Sequence, residues 1–141
     1  MDRRDIIIKG EFMIIGLDFY KTISAFPKFF RNLSSSLISE KNTVIIISAV
    51  GKSSNLENYK RHIREFLGTH RIPFNSLHIC QFDEDKEIPQ LKLDSCRTHK
   101  VDVYFDDRED VCQKLHENGI IAMRVGIGKN KKNKQFFGSL S

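Results

Sequence analysis

Five short runs of apolar, mostly β-branched residues, with helical spacings between them, constrain this chain more than any other feature. The runs are Met13 to Leu17, Val44 to Ile47, Leu77 to Cys80, Val101 to Phe105 and Ile120 to Val125. They are continuous rather than alternating, the mark of strands buried on both faces. Between them, Phe26, Phe29, Phe30, Leu33 and Leu37 fall on one helical face, with Pro27 near the first turn, where a missing N–H costs nothing. Leu56, Tyr59, Ile63, Phe66 and Leu67 form a second stripe. Leu91 to Arg97 is helix-like, and Val111, Cys112 and Leu115 form a stripe that stops at Asn118-Gly119, a C-terminal cap. The order β-α-β-α-β-α-β-α-β predicts an α/β fold: a Rossmann-like three-layer α/β/α sandwich with a mainly parallel five-stranded sheet. In such a sheet ligands bind beyond the carboxyl ends of the strands, so functional residues are expected just after each strand.

At 141 residues and 16.4 kDa the chain supports one domain with a substantial core, and not two of ordinary size. That domain is expected over residues 13–127, between an N-terminal extension, 1–12, and a basic C-terminal tail, 128–141. The extension has no helical pattern of its own and is compatible with either an edge strand or a disordered lead. No apolar run approaches the roughly 18 residues of a membrane-spanning helix, and the N-terminus lacks the apolar core of a secretory signal. A cytoplasmic protein with no membrane contact is therefore expected. The cysteines, Cys80, Cys96 and Cys112, are odd in number and in no ligand spacing, which suits reduced thiols. The net charge of +5 hints at nucleic acid until it is located, because Lys129, Lys131, Lys132 and Lys134 supply four of those charges and leave the body at +1. Such a run is usually a solvated end, and Lys129–Lys134 suggests at most a weak polyanion contact.

The strand ends carry Asp18, with Thr22 close behind, then Ser48, then the pair Asp106-Asp107. Lys92 lies on the helix-like segment that leads into the fourth strand. A carboxylate at the end of a buried strand is placed to attack phosphorus and form an aspartyl-phosphate, which splits one difficult displacement into two easier ones. Asp18, Asp106 and Asp107 would repel one another unless a cation sat among them. Mg²⁺ suits that place, since it takes oxygen ligands and binds protein carboxylates together with substrate phosphate. The Ser48 hydroxyl, the backbone N–H groups after Asp18 and the Lys92 ammonium would then hold the phosphoryl oxygens.

The segments Ile15 to Ile23, Val44 to Ser48 and Val103 to Asp110 resemble, in order, motifs I, II and IV of the haloacid dehalogenase-like hydrolase superfamily, and Lys92 resembles motif III. The likeness spans roughly residues 13 to 127, and the ordered set is more specific than any one motif. It implies that Asp18 is the nucleophile of a Mg²⁺-dependent phosphatase, that Thr22 and Ser48 hold the phosphoryl group and that Lys92 neutralises charge. Asp106, with Asp107 or Asp110, would hold Mg²⁺ together with Asp18. The short gaps from Asp18 to Ser48 and from Ser48 to Lys92 leave no room for a large cap domain. In this superfamily the lack of a cap goes with large substrates or with self-assembly that supplies the cover.

Tyr20 and Lys21 depart from the pattern. Phosphatases of the superfamily carry an acid two residues after the nucleophile, which protonates the leaving group and then activates water; here that position is Tyr20. Two alternatives follow: a catalytically impaired fold used for binding or regulation, or a dehalogenase, whose motif carries a tyrosine at this place and needs no Mg²⁺. The Asp106-Asp107 pair, suited to a metal, argues against the dehalogenase. Lys21 replaces the usual glycine.

Each acid alone has a plainer explanation as a turn residue or helix cap. It is their order along successive strands that points to a site. Gly51-Lys52-Ser53-Ser54 fails as a phosphate-binding loop because the first glycine would fall at Ile46. A phospho-relay receiver domain has its acidic pair at the first strand and its lysine at the last, the reverse of the order here. The five histidines are scattered and fit structural or solvated roles.

Overall fold

A computed structural model describes residues 12–126. The basic tail with Lys129–Lys134, and the N-terminal extension up to residue 11, lie outside the described residues. The chain runs β1 (Ile14–Leu17), α1 (Pro27–Ser39), β2 (Thr43–Gly51), α2 (Leu56–Thr69), β3 (Ser76–Phe82), α3 (Ile88–Thr98), β4 (Val103–Asp106), α4 (Glu109–Glu117) and β5 (Ile121–Arg124). The described strands form one sheet in the order β3-β2-β1-β4-β5, and every pairing is parallel. The architecture is the expected α/β sandwich, with an all-parallel sheet.

Alternation along β2 shows why its apolar run is continuous. Val44 and Ile46 face the layer of α1 and α2, where they pack with Phe30, Ile63 and Leu67. Ile45 and Ile47 face the layer of α3 and α4, with Leu93, Val111 and Leu115. Successive strand residues point to opposite faces, so a strand covered on both sides needs apolar residues at every position.

The four helices end in the same way. Lys41, Arg71, Lys100 and Gly119 each follow a helix in the left-handed region, with φ of 71°, 56°, 56° and 81°. Behind them, Asn42, Ile72, Val101 and Ile120 donate their N–H back to Leu37, Leu67, Cys96 and Leu115, all at 2.9–3.0 Å. This closing turn satisfies carbonyls that the helix leaves unpaired. Only the last uses the glycine that makes such an exit visible in a sequence. The other three place a cation beside the negative end of a helix.

From β1 the chain moves outward through β2 to β3, then crosses to β4 on the other side of β1 and continues to β5. The loops after β1 and β4 therefore diverge, opening a crevice at the centre of the sheet. Gly16 in β1 is needed here for space: a Cβ built on it would lie 2.7 Å from Tyr104 Cδ1 and 3.3 Å from Val101 Cγ1. Tyr104 is fully buried, so its ring has nowhere to retreat. Gly16→Ala is expected to lower unfolding stability by about 1–3 kcal/mol, the usual range for overpacking. A denaturant midpoint equal to wild type would show that the ring has room after all.

Among the described residues, no helix is long and apolar enough to cross a membrane.

Candidate active site

Asp18 directly follows β1. Its N–H donates to Phe105 O at 2.9 Å, which carries the β1–β4 ladder one residue further and sets Asp18 alongside Asp106. Its carboxylate is buried and held at both oxygens, Oδ1 by Lys92 Nζ at 2.8 Å and Oδ2 by the Thr22 hydroxyl at 3.0 Å. Thr22 sits in the tight turn Phe19–Ile23, closed by Ser24 N–H on Phe19 O at 3.0 Å.

Lys92 comes from α3, and only 2% of its surface is exposed. Its ammonium donates to Asp18 Oδ1, to Asp106 Oδ2 at 2.9 Å and to the Tyr104 hydroxyl. An ammonium has three protons, and these three partners are its shortest contacts, with Ile47 O further away at 3.3 Å. Tyr104 in turn donates to Ile47 O at 3.0 Å, which completes the network. Burial alone would lower the lysine pKa, but Asp18 and Asp106 hold it above its ordinary value, so the ammonium persists. For Asp18 the balance goes the other way. Burial raises its pKa, Lys92 opposes the rise, and Asp106 and Asp107 add to it, with the result pushed up to about 7.

Ser48 lies within β2 rather than after it, as the sequence led one to expect. β2 pairs with β3 as far as Gly51 and Phe82, whereas β1 stops at Leu17 opposite Ile46. Two strands therefore run past the end of β1 and form one wall of the site. Thr43 N–H bonds to Met13 O and Val44 O receives the Asn75 N–H. By that alternation the backbone groups of Ile47 and Ala49 face the side where β1 has ended. Tyrosine hydroxyls take both carbonyls: Tyr104 that of Ile47, and Tyr59 of α2 that of Ala49 at 3.1 Å. Tyr59 Oη also lies 2.8 Å from Ser48 Oγ.

Asp106 is fully buried, with Oδ2 on Lys92 and Oδ1 accepting the Arg108 N–H at 2.9 Å. Asp107 is half-buried, and its pKa is raised first by burial and then by Asp106. Asp18, Asp106 and Asp107 each bring one oxygen to within 4.8 Å of the others. Three carboxylates and one ammonium leave a formal charge of −2, which one divalent cation balances, and an all-oxygen donor set suits Mg²⁺. Asp110, the alternative partner expected for the ion, is not brought into this cluster. Arg108 binds both its oxygens, at 3.0 and 2.8 Å, and lowers its pKa, while also pairing with both oxygens of Asp85. The resemblance placed an acid at this spacing; the arginine two residues earlier was the sign that it was already engaged.

A cavity of about 350 Å³ opens over these groups, lined by Asp18, Ser48, Lys92 and Asp107 and also by Tyr20, Lys21, Ala49, Phe82, Ile88 and Arg108. Tyr20 is 62% exposed at its mouth. Lys21 adopts φ 60°, the left-handed conformation that glycine takes without strain, and its N–H is held by Ser24 Oγ at 2.8 Å. The tyrosines of the network were missed from the sequence, where Tyr59 read as part of an apolar stripe and Tyr104 as part of a strand. The signal available was general: a buried tyrosine hydroxyl must find a partner. The cysteines take no part, and burial pushes the Cys96 and Cys112 thiols up to about 12.

No family model and no curated protein matches this sequence. Solved structures do. A chain in the "Structure of Pnkp1/Rnl/Hen1 complex" aligns with a TM-score of 0.62 and 14% identity, over 82% of this chain and 46% of that one. A chain in the "Structure of the Pnkp1/Rnl/Hen1 RNA repair complex" gives 0.62 and 13%, over 82% and 42%. This chain thus spans less than half the length of those two. An uncharacterized protein from Corynebacterium glutamicum gives 0.56 and 14%, over 89% and 93%. At these identities the likeness is one of fold.

Proposed function

We propose that this chain is a Mg²⁺-dependent hydrolase of the haloacid dehalogenase-like type that takes a phosphoryl group from a phosphorylated substrate onto Asp18. The observation that carries this reading is the meeting of Asp18, Ser48, Lys92, Asp106 and Asp107 at one cavity, from β1, β2, α3 and the end of β4. In a structural role, three clustered carboxylates would be a burden that Lys92 offsets only in part. Asp18, Asp106 and Asp107 would hold the ion, which when bound would neutralise phosphate charge and lower the barrier to attack by an anionic nucleophile.

An Asp18 oxygen attacks phosphorus, the bond from phosphorus to the leaving oxygen breaks, and an aspartyl-phosphate results. Lys92 keeps Asp18 oriented and offsets its charge, Thr22 holds the second oxygen, and Ser48 offers a hydroxyl to the phosphoryl group. Water then cleaves the acyl-phosphate and restores the carboxylate. A phenol is a far weaker base than a carboxylate, so Tyr20 gives this second step little help. An intracellular location belongs to the same proposal and rests on the three free thiols.

The test is phosphate release with Mg²⁺ from a panel of aryl, sugar and nucleotide phosphates. Phosphorylated oligonucleotides join the panel because two structural neighbours come from Pnkp1/Rnl/Hen1 structures. Inactivity across the panel, together with no metal-dependent binding of beryllofluoride, would sink the proposal.

A second reading, a binding or regulatory module with slow turnover, is favoured by one observation: the exposed Tyr20 at the cavity mouth. General acid-base help is worth roughly 10²–10⁴-fold. Tyr20→Asp is therefore expected to raise the turnover number by about 10²-fold. A wild type already as fast as that variant removes the second reading.

A further inference from the structure

The geometry points to Tyr59 as a positioning residue that decides where the Ser48 hydroxyl sends its proton. This rests on the reading of Ser48 as a phosphoryl-binding group. Tyr59 Oη carries one proton and has two oxygen neighbours, Ser48 Oγ at 2.8 Å and Ala49 O at 3.1 Å. A carbonyl only accepts. While Tyr59 donates to Ala49 O, the hydrogen bond to Ser48 must therefore run from Ser48 to Tyr59. The serine proton then points at α2, and only its lone pairs remain for the cavity. Phosphoryl oxygens also only accept, so this arrangement sets lone pair against lone pair.

The conflict disappears if Tyr59 turns its proton from Ala49 O to Ser48 Oγ. Ser48 is then free to donate to the phosphoryl oxygen, and the two hydroxyls form a chain, Tyr59 to Ser48 to phosphoryl, in which each bond polarises the next. Little else can take over this role, because Ser48 is 1% exposed and Tyr59 is the hydroxyl at hydrogen-bond distance from it. The placement follows from the stagger of the sheet. Because β2 outruns β1, the Ala49 carbonyl is left without a strand partner and holds Tyr59 beside Ser48 when the cavity is empty. Tyr59 lies on α2, makes its side-chain hydrogen bonds to Ser48 and Ala49 rather than to Asp18, Asp106 or Asp107, and acts through Ser48.

The test measures binding of beryllofluoride with Mg²⁺ to the full chain, by fluorine NMR, for wild type, Tyr59→Phe, Ser48→Ala and the double variant. Tyr59→Phe is expected to tighten binding about 3–10-fold, because the empty site loses two hydrogen bonds to Tyr59 and the occupied site loses one. Ser48→Ala should weaken binding, and adding Tyr59→Phe to Ser48→Ala should change nothing further, since Tyr59 then keeps Ala49 O whether or not the cavity is filled. A merely structural tyrosine would shift binding equally in both backgrounds, and that additivity would overturn the inference. So would unchanged or weaker binding by Tyr59→Phe. Should wild type itself bind no beryllofluoride, the phosphoryl site is refuted and this inference with it. That result is distinct from the one in which wild type binds and only the tyrosine proves irrelevant.

Discussion

Asp18→Asn is expected to abolish Mg²⁺-dependent phosphate release and, in metal-free buffer above pH 7, to leave the protein more stable than wild type. The loss of activity follows from the role proposed for the carboxylate, since an amide cannot form the aspartyl-phosphate. The gain in stability follows from the site. Burial, opposed by Lys92 and reinforced by Asp106 and Asp107, pushes the Asp18 pKa up to about 7, against an unfolded value near 3.8. The folded protein thus holds this proton more tightly than the unfolded chain, and its stability falls as pH rises from about 4 to 7. Asn avoids that penalty, keeps an oxygen for Lys92 and can turn its amide to Thr22 Oγ1, where a carboxylate now accepts. The stabilisation is expected to be on the order of 2–4 kcal/mol above pH 7 and to vanish below about pH 4. Mg²⁺ should stabilise wild type more than the variant and narrow the gap. Denaturant midpoints at pH 5 and pH 8, with and without Mg²⁺, read this directly. If Asp18→Asn is destabilised at pH 8, Asp18 is a structural ion-pair partner and not a costly functional group.

Lys92→Met should act in the opposite direction. Among the described residues it removes the only cation hydrogen-bonded to Asp18 and Asp106, and it leaves two buried carboxylates facing each other. Breaking a buried pair from one side typically costs about 3–5 kcal/mol, and the Tyr104 hydroxyl loses its donor as well. The cost should be largest at pH 8 in chelator, should shrink as pH falls and Asp18 takes up a proton, and should be partly reversed by millimolar Mg²⁺. In wild type the lysine pKa is raised, so its contribution is complete below its ordinary value of 10.5 and is lost only as pH climbs through the raised one. The lysine therefore does not titrate across the range of the experiment. Equal stability of variant and wild type at pH 8 without metal would mean that the carboxylates share a proton and the ammonium is dispensable.

The sheet was legible because each strand spells its two-sided burial in consecutive apolar residues, and because the stripes around Phe30, Ile63 and Leu115 repeat at helical spacing. Asp18, Lys92, Asp106 and Asp107 were legible because strand ends converge in a parallel sheet. Ser48 was placed at the end of its strand because Ala49-Val50-Gly51 carries no strand signature of its own. Those residues are held extended by pairing with Cys80 to Phe82, a contact across some 30 positions that no local pattern reveals. Asp110 fits a ligand spacing, but spacing does not say whether a neighbour has already engaged the group. Tyr59 and Tyr104 look like packing residues because an apolar stripe shows the ring and not where the hydroxyl ends up. Three of the four helix exits were invisible because lysine or arginine stands where glycine would have announced them.

Those exits have a consequence for how this molecule can change. Each leads into the amino end of the next strand, whereas the charged cluster lies at the carboxyl end. The strained positions at these exits are thus separated from the chemistry by the height of the sheet, unlike Lys21, whose φ of 60° lies at the cavity itself. Lys41, Arg71 and Lys100 line no part of the cavity, so substitutions that relieve strain there can make the scaffold firmer at a distance from it, and a lineage exploring new loops around Asp18 could offset the damage of each trial from the opposite rim.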